Sequence, residues 1–115
     1  MTEILENKFA AAVDESIETS ESRYGYDPTG MKAMITRRTA KGQTVVDAVI
    51  DLIHAGDVQT GFTRIWEISQ KPGNSDAYMV TLEWLVTRPE FRSLFEPMTR
   101  DAAAKRLEDY FGVQP

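Results

Sequence analysis

Asp47, Asp51 and His54 stand at i, i+4 and i+7, a spacing that puts two carboxylates and an imidazole on one face of a helix. Such a trio can ligate a metal ion or move a proton. Three groups on one helix do not complete a coordination shell, however, and His54 is the only histidine of the chain. A solvated polar face is the simpler reading, so this trio stays a weak metal candidate and no cofactor is assigned. Nucleophilic catalysis has even less to work with. The chain has no cysteine, which removes thiolate chemistry, iron–sulfur ligation and zinc fingers. No Gly-x-Ser-x-Gly turn offers an activated serine, and neither Gly56 nor Gly61 is followed by the Lys-Ser/Thr of a phosphate loop. The expectation is a protein that is not an enzyme, with a metal-dependent enzyme at Asp47, Asp51 and His54 ranked third among the functional readings.

Binding chemistry has more material. Lys32, Arg37, Arg38 and Lys41 form the one local excess of positive charge, the minimum a nucleic-acid contact would need. The net charge of −5 and the two aspartates that the next helix presents beside this cluster both repel phosphates. A nucleic-acid-associated accessory role is therefore the runner-up, and no nucleic-acid partner is expected. Trp66-Glu67 and Glu83-Trp84 are two Trp-Glu adjacencies on consecutive helices. Indoles anchor protein interfaces, and acids at the rim suit a basic partner. Val80 and Trp84 fall on the side of their helix away from Tyr78, Leu82, Leu85 and Val86, so they are either covered by other helices or form an apolar patch. The burial preference of Trp favours cover, with Trp84 mostly buried. Trp66, Glu67, Val80 and Trp84 are accordingly the protein-binding candidates. Glu83 sits among Leu82, Trp84, Leu85 and Val86 on a helix with almost no polar side, so its carboxylate requires a partner. Arg64, on the preceding helix, is the choice by register and chain order.

The elements that must hold these groups follow from periodicity. The chain has 115 residues, 42% apolar and 27% charged, the composition of one globular domain spanning 1–115. Leu5, Phe9, Val13 and Ile17 mark a helix over 3–22, closed by Gly25. Asp27 before Pro28 reads as an N-cap opening a second helix to about Arg38. Thr44 caps a third, with Val45, Val46, Val49, Ile50, Leu52 and Ile53 on one side, ended by Ala55-Gly56-Asp57. A shorter helix begins near Thr60. The loop Gln70 to Ser75 leads into a helix from Asp76 to about Thr87 that is apolar nearly all round and is expected to be the hub of the fold. Phe91, Leu94 and Phe95 make a single turn, and Thr99 caps a last helix ended by Gly112. This predicts an all-α bundle of five main helices plus one or two short turns around a central helix at 76–87. No apolar run is long enough for a membrane helix. The acidic start Met1 to Lys8 lacks a secretory pattern, which makes the cytoplasm the expected compartment and leaves no role for a membrane.

Three segments in order resemble a widespread family of small bacterial proteins of unknown function. They are Tyr24-Gly25-Tyr26-Asp27-Pro28-Thr29 followed by Met34, then Gly61-Phe62-Thr63-Arg64-Ile65-Trp66-Glu67, and Thr81-Leu82-Glu83 with Leu85-Val86 running into Pro89-Glu90-Phe91-Arg92-Ser93-Leu94-Phe95. In the family a Gly-Phe-Thr-x-Leu-Trp-Glu block leads almost directly into Arg-Leu-Asp-Leu-Thr-Val-Glu. Here the loop Ile68 to Ser75 is longer and Ala77-Tyr78-Met79 replaces Arg-Leu-Asp, so no role of that basic and acidic pair transfers. The resemblance implies an all-helical fold and supplies no activity. Together these readings point to a small acidic helical module that binds a protein partner, in an inhibitory or accessory role of bacterial or phage origin, with self-association left open.

Overall fold

The computed structural model describes residues 2–54 and 60–115. Among them every regular element is helical. The α-helices are α1 (Thr2–Tyr24), α2 (Thr29–Ala40), α3 (Val45–Ile53), α4 (Thr60–Ser69), α5 (Leu82–Val86) and α6 (Pro97–Phe111), and two 3₁₀ segments, Ala77–Val80 and Pro89–Leu94, flank α5. None of the described helices is long and apolar enough to cross a membrane.

Helix α1 is the spine, roughly 35 Å long at 1.5 Å per residue. Its four-residue stripe does what the spacing requires. Phe9 and Val13 are buried, Ser16 and Ser20 continue the same face, and α3, α5 and both 3₁₀ segments lie against it. The two polar members satisfy their hydroxyls at once: Ser16 donates to Val80 O at 2.8 Å and Ser20 to Tyr26 O at 2.8 Å. Phe9 receives the edges of Phe91 and Phe95, both with ring centroids 5.1 Å away. Gly25 then takes the left-handed conformation, φ +68°, which a side chain would strain, and the chain turns into α2.

Helix α3 begins as its sequence dictates: the Thr44 hydroxyl accepts the Asp47 N–H at 3.0 Å. Two expected caps are different. Asp27 does not cap α2, because its carboxylate is taken by Lys32 at 3.0 Å. Thr99 does not cap α6, which starts two residues earlier at Pro97, where a missing N–H costs nothing. Thr99 is instead buried inside the first turn. The expected end of α3 at Ala55-Gly56-Asp57 lies outside the described residues.

The largest departure is the expected helix at 76–87. A 3₁₀ turn covers Ala77–Val80, Thr81 is extended (φ −83°, ψ 153°), and only then does α5 begin. Thr81 explains the break. Its hydroxyl donates back to Tyr78 O at 2.7 Å and accepts the Trp84 N–H at 3.1 Å, ending one element and capping the next. The hub role nevertheless belongs to this region, in its second half. Leu82, Glu83 and Val86 are buried, and α5 touches α1, α3, α6 and both 3₁₀ segments.

Candidate functional site

Glu83 is the most deeply buried charged group of the described residues, 3% exposed. Burial raises its carboxyl above the ordinary carboxylate range, against the opposing pull of Arg106 and of its own backbone amide. The sequence argument that this carboxylate needs a partner holds, and the choice of Arg64 does not. Arg106 on α6 places Nη1 2.8 Å from Glu83 Oε2, while Nη2 donates to Ile53 O at 2.8 Å. One planar guanidinium thereby ties α5, α6 and the last carbonyl of α3, a use of its fixed donor fork that lysine could not match. Arg64 points to solvent and meets Glu67 one turn further on, at 3.4 Å. Its register on α4 turns it away from α5, which only tertiary structure decides. Arg106 carried one signal in the sequence: it lies next to Ala103 and Leu107, on the apolar side of its helix.

The metal candidate disperses. Asp51 is held by Arg38 at 2.6 Å, and His54 Nε2 lies 2.8 Å from Thr99 Oγ1, joining the end of α3 to the first turn of α6. Asp47 stays exposed in the first turn of α3, where the helix dipole favours it. Among the described residues no group of three His, Asp or Glu is placed to hold a metal ion. The basic cluster is likewise half committed, with Arg38 on Asp51 and Lys32 bridging Glu21 and Asp27, both at 3.0 Å. Arg37 and Lys41 are exposed. Two exposed cations beside paired acids make a poor phosphate surface.

The aromatic residues, by contrast, come together. Trp66 on α4 meets Tyr110 on α6 edge to face, with centroids 6.3 Å apart, and its indole N–H donates to Tyr110 O at 2.7 Å. Phe62 then links Tyr110 to Phe111, at 5.2 and 5.3 Å. Phe111 approaches Tyr78 at 6.1 Å, and Tyr78 meets Trp84 at 5.0 Å. The row ends where Arg88 lies over the Trp84 ring, its Cζ 3.2 Å from the centroid. Burial pushes the Arg88 guanidinium below its ordinary range. Phe62 is buried, the other rings are half-buried, and Tyr110 is 37% exposed. Trp84 is mostly covered, as its sequence context implied, with Tyr78 against its ring and Arg88 over it, and keeps part of its surface in solvent. Val80 is half-buried as well, its carbonyl occupied by Ser16. Of the four candidates for protein binding, the row contains Trp66 and Trp84. Glu67 is engaged with Arg64 beside it. Tyr78, Tyr110 and Arg88 are members that sequence reasoning missed, since linking three separate segments needs the fold.

Comparison with protein-family models, with curated proteins and with solved structures finds no match. The candidate site stands on its own geometry.

Proposed function

We propose that this protein is a binding module that docks a protein partner on the aromatic edge running from Trp66 through Tyr110 and Tyr78 to Trp84. The observation that supports it is the row of ring contacts that joins these residues through Phe62 and Phe111, with Tyr110 exposed and both indoles keeping part of their surface in solvent. Trp, Tyr and Arg are the residue types that dominate interface energetics, and here they are held rigid by one another, so little side-chain entropy remains to be lost on binding. The net charge of −5 favours a basic partner surface and speeds its encounter. An accessory or inhibitory role fits a module of this kind.

The test is affinity capture from an extract of the native host with the wild type, Tyr110→Ser and Trp84→Ala side by side. Circular dichroism verifies that each variant is folded. A protein retained by the wild type and lost by both variants supports the reading. A partner retained equally by the variants, or recovery of nucleic acid in place of protein, overturns it.

A further inference from the structure

Helix α2 is held less deeply than any other α-helix. None of its twelve residues is buried, whereas α1, α3, α4, α5 and α6 each bury at least two. Its apolar residues Met31, Met34 and Ile35 are half-buried. The two methionines border a partly open recess of about 320 Å³, whose other walls include Leu52, Phe62 and Ile65. A side chain beside empty space forfeits the dispersion contacts that atoms there would supply, so this part of α2 gains little from the core. Thr29 and Gly30 also line the recess and are exposed, so the gap reaches the surface at the start of the helix.

The remaining ties of α2 are polar and lie at the surface. Lys32 meets Glu21 of α1 at 3.0 Å, and Arg38 meets Asp51 of α3 at 2.6 Å, with all four side chains between 37% and 44% exposed. Exposed ion pairs of this kind are weak. Among the described residues, the backbone hydrogen bonds of 27–43 are all made within that stretch, so displacing α2 breaks none to another element. Connections of four residues, 25–28 and 41–44, join it to α1 and α3.

We infer that α2 is a flap latched by the Lys32–Glu21 and Arg38–Asp51 pairs, which opens while the rest of the domain stays folded and so controls access to the apolar recess beneath it. Phe62 lines that recess and also carries the edges of Tyr110 and Phe111. Opening therefore uncovers one side of a ring on which the aromatic row leans. The motion belongs to α2 itself and is tested without any partner.

A twelve-residue helix detached from its neighbours does not hold its own hydrogen bonds, so its amides exchange whenever it opens. In the wild type, amide hydrogens of residues 33–40 are expected to exchange at least ~10-fold faster than those of residues 49–53 in α3. Thiol labelling then reads access to the recess, and the absence of native cysteine makes a single thiol unambiguous. Ile65→Cys places it on the recess wall, and Val13→Cys at a core position that does not line the recess, 4% and 2% exposed in the wild type. With the reagent DTNB, Ile65→Cys should label at least ~10-fold faster than Val13→Cys, circular dichroism showing that each variant is folded. Adding Lys32→Gln and Arg38→Gln should speed labelling of Ile65→Cys about 3-fold. Leu107→Ala on α6 lowers global stability without touching α2, so it should speed labelling of Val13→Cys and leave Ile65→Cys unchanged. Protection of α2 equal to that of α3 overturns the flap, as do equal labelling of the two thiols and acceleration of both by Leu107→Ala. Labelling of Ile65→Cys indifferent to the loss of both ion pairs overturns the latch.

Discussion

Removing the Glu83 carboxylate leaves the Arg106 guanidinium, whose side chain is 14% exposed, with Ile53 O as its only described acceptor. Breaking a buried pair from one side costs about 3–5 kcal/mol. Glu83→Ala and Arg106→Ala should each lower the denaturant midpoint by a corresponding amount, whereas the double replacement Glu83→Leu/Arg106→Met should recover most of it, because no charge is then stranded. A double variant as unstable as the sum of the singles would contradict this account. The same residue sets a pH dependence. Burial lifts the folded-state value of Glu83 above its ordinary 4.5, so between the two values the native state binds a proton that the unfolded chain has lost. The contribution is full below pH 4.5 and disappears as pH rises through the folded value. Asp76 works in the opposite sense: the Tyr24 hydroxyl, then Arg23, pull it below 3.8, so its contribution is lost on acidification. The stability of the wild type relative to Glu83→Gln should therefore decline as pH rises above 4.5; a constant difference in urea titrations would rule it out. Burial of Glu83 was legible because its immediate neighbours are all apolar. Its partner was less so, since the one local signal for Arg106, its place beside Ala103 and Leu107, does not say which helix it faces.

Among the elements, the junction at Thr81 carries the most information. A single hydroxyl ends the Ala77–Val80 turn and starts α5, so Thr81→Val should cost about 1–2 kcal/mol while Thr81→Ser retains most of the stability. Equal stability of the Val and Ser variants in chemical denaturation would show that the cap is dispensable. Apolar periodicity alone reads through this break, because Tyr78, Leu82, Leu85 and Val86 keep helical spacing across it and a threonine inside a helical pattern gives no stop signal by itself. The existence of α1, α3 and α4 was legible for the opposite reason. Val46, Val49, Leu52 and Ile53 all reach the core in the order their wheel demands, and Thr44 announces the start. Trp84 shows the limit of a wheel. It identifies an outward-facing indole but not the arginine one turn along that lies over it. Acrylamide quenching of Trp84, read in Trp66→Phe, should accordingly be intermediate between a buried and a free indole. Full protection or full accessibility would each refute the Arg88 cover.

At the scale of the molecule, several surface cations already face acids: Arg23 with Asp76, Lys32 with Glu21 and Asp27, Arg38 with Asp51, Arg64 with Glu67, Lys105 with Asp109. Such surface pairs add little stability, but they spend the positive charge that a polyanion would need. Random duplex DNA should therefore not shift in a gel at low micromolar protein and ~0.15 M salt. A clear shift abolished by Arg37→Ala/Arg38→Ala would establish a phosphate surface after all. The all-helical class was legible from periodicity and composition, whereas the way six helices share one core was not, because the joining contacts are remote in sequence. Ser16 bonds Val80, Tyr24 bonds Asp76, and Arg106 bonds Ile53. This remoteness bears on how the chain leaves the ribosome. The apolar face of α1 is translated well before the two rings that close over Phe9, which belong to residues 91 and 95. At 5–20 residues per second, the 71 residues from Gly25 through Phe95 take roughly 4–14 s to synthesise. Throughout that interval the nascent chain carries an uncovered amphipathic helix, the kind of surface a holdase chaperone recognises, and folding to the native state is completed only after the later helices emerge.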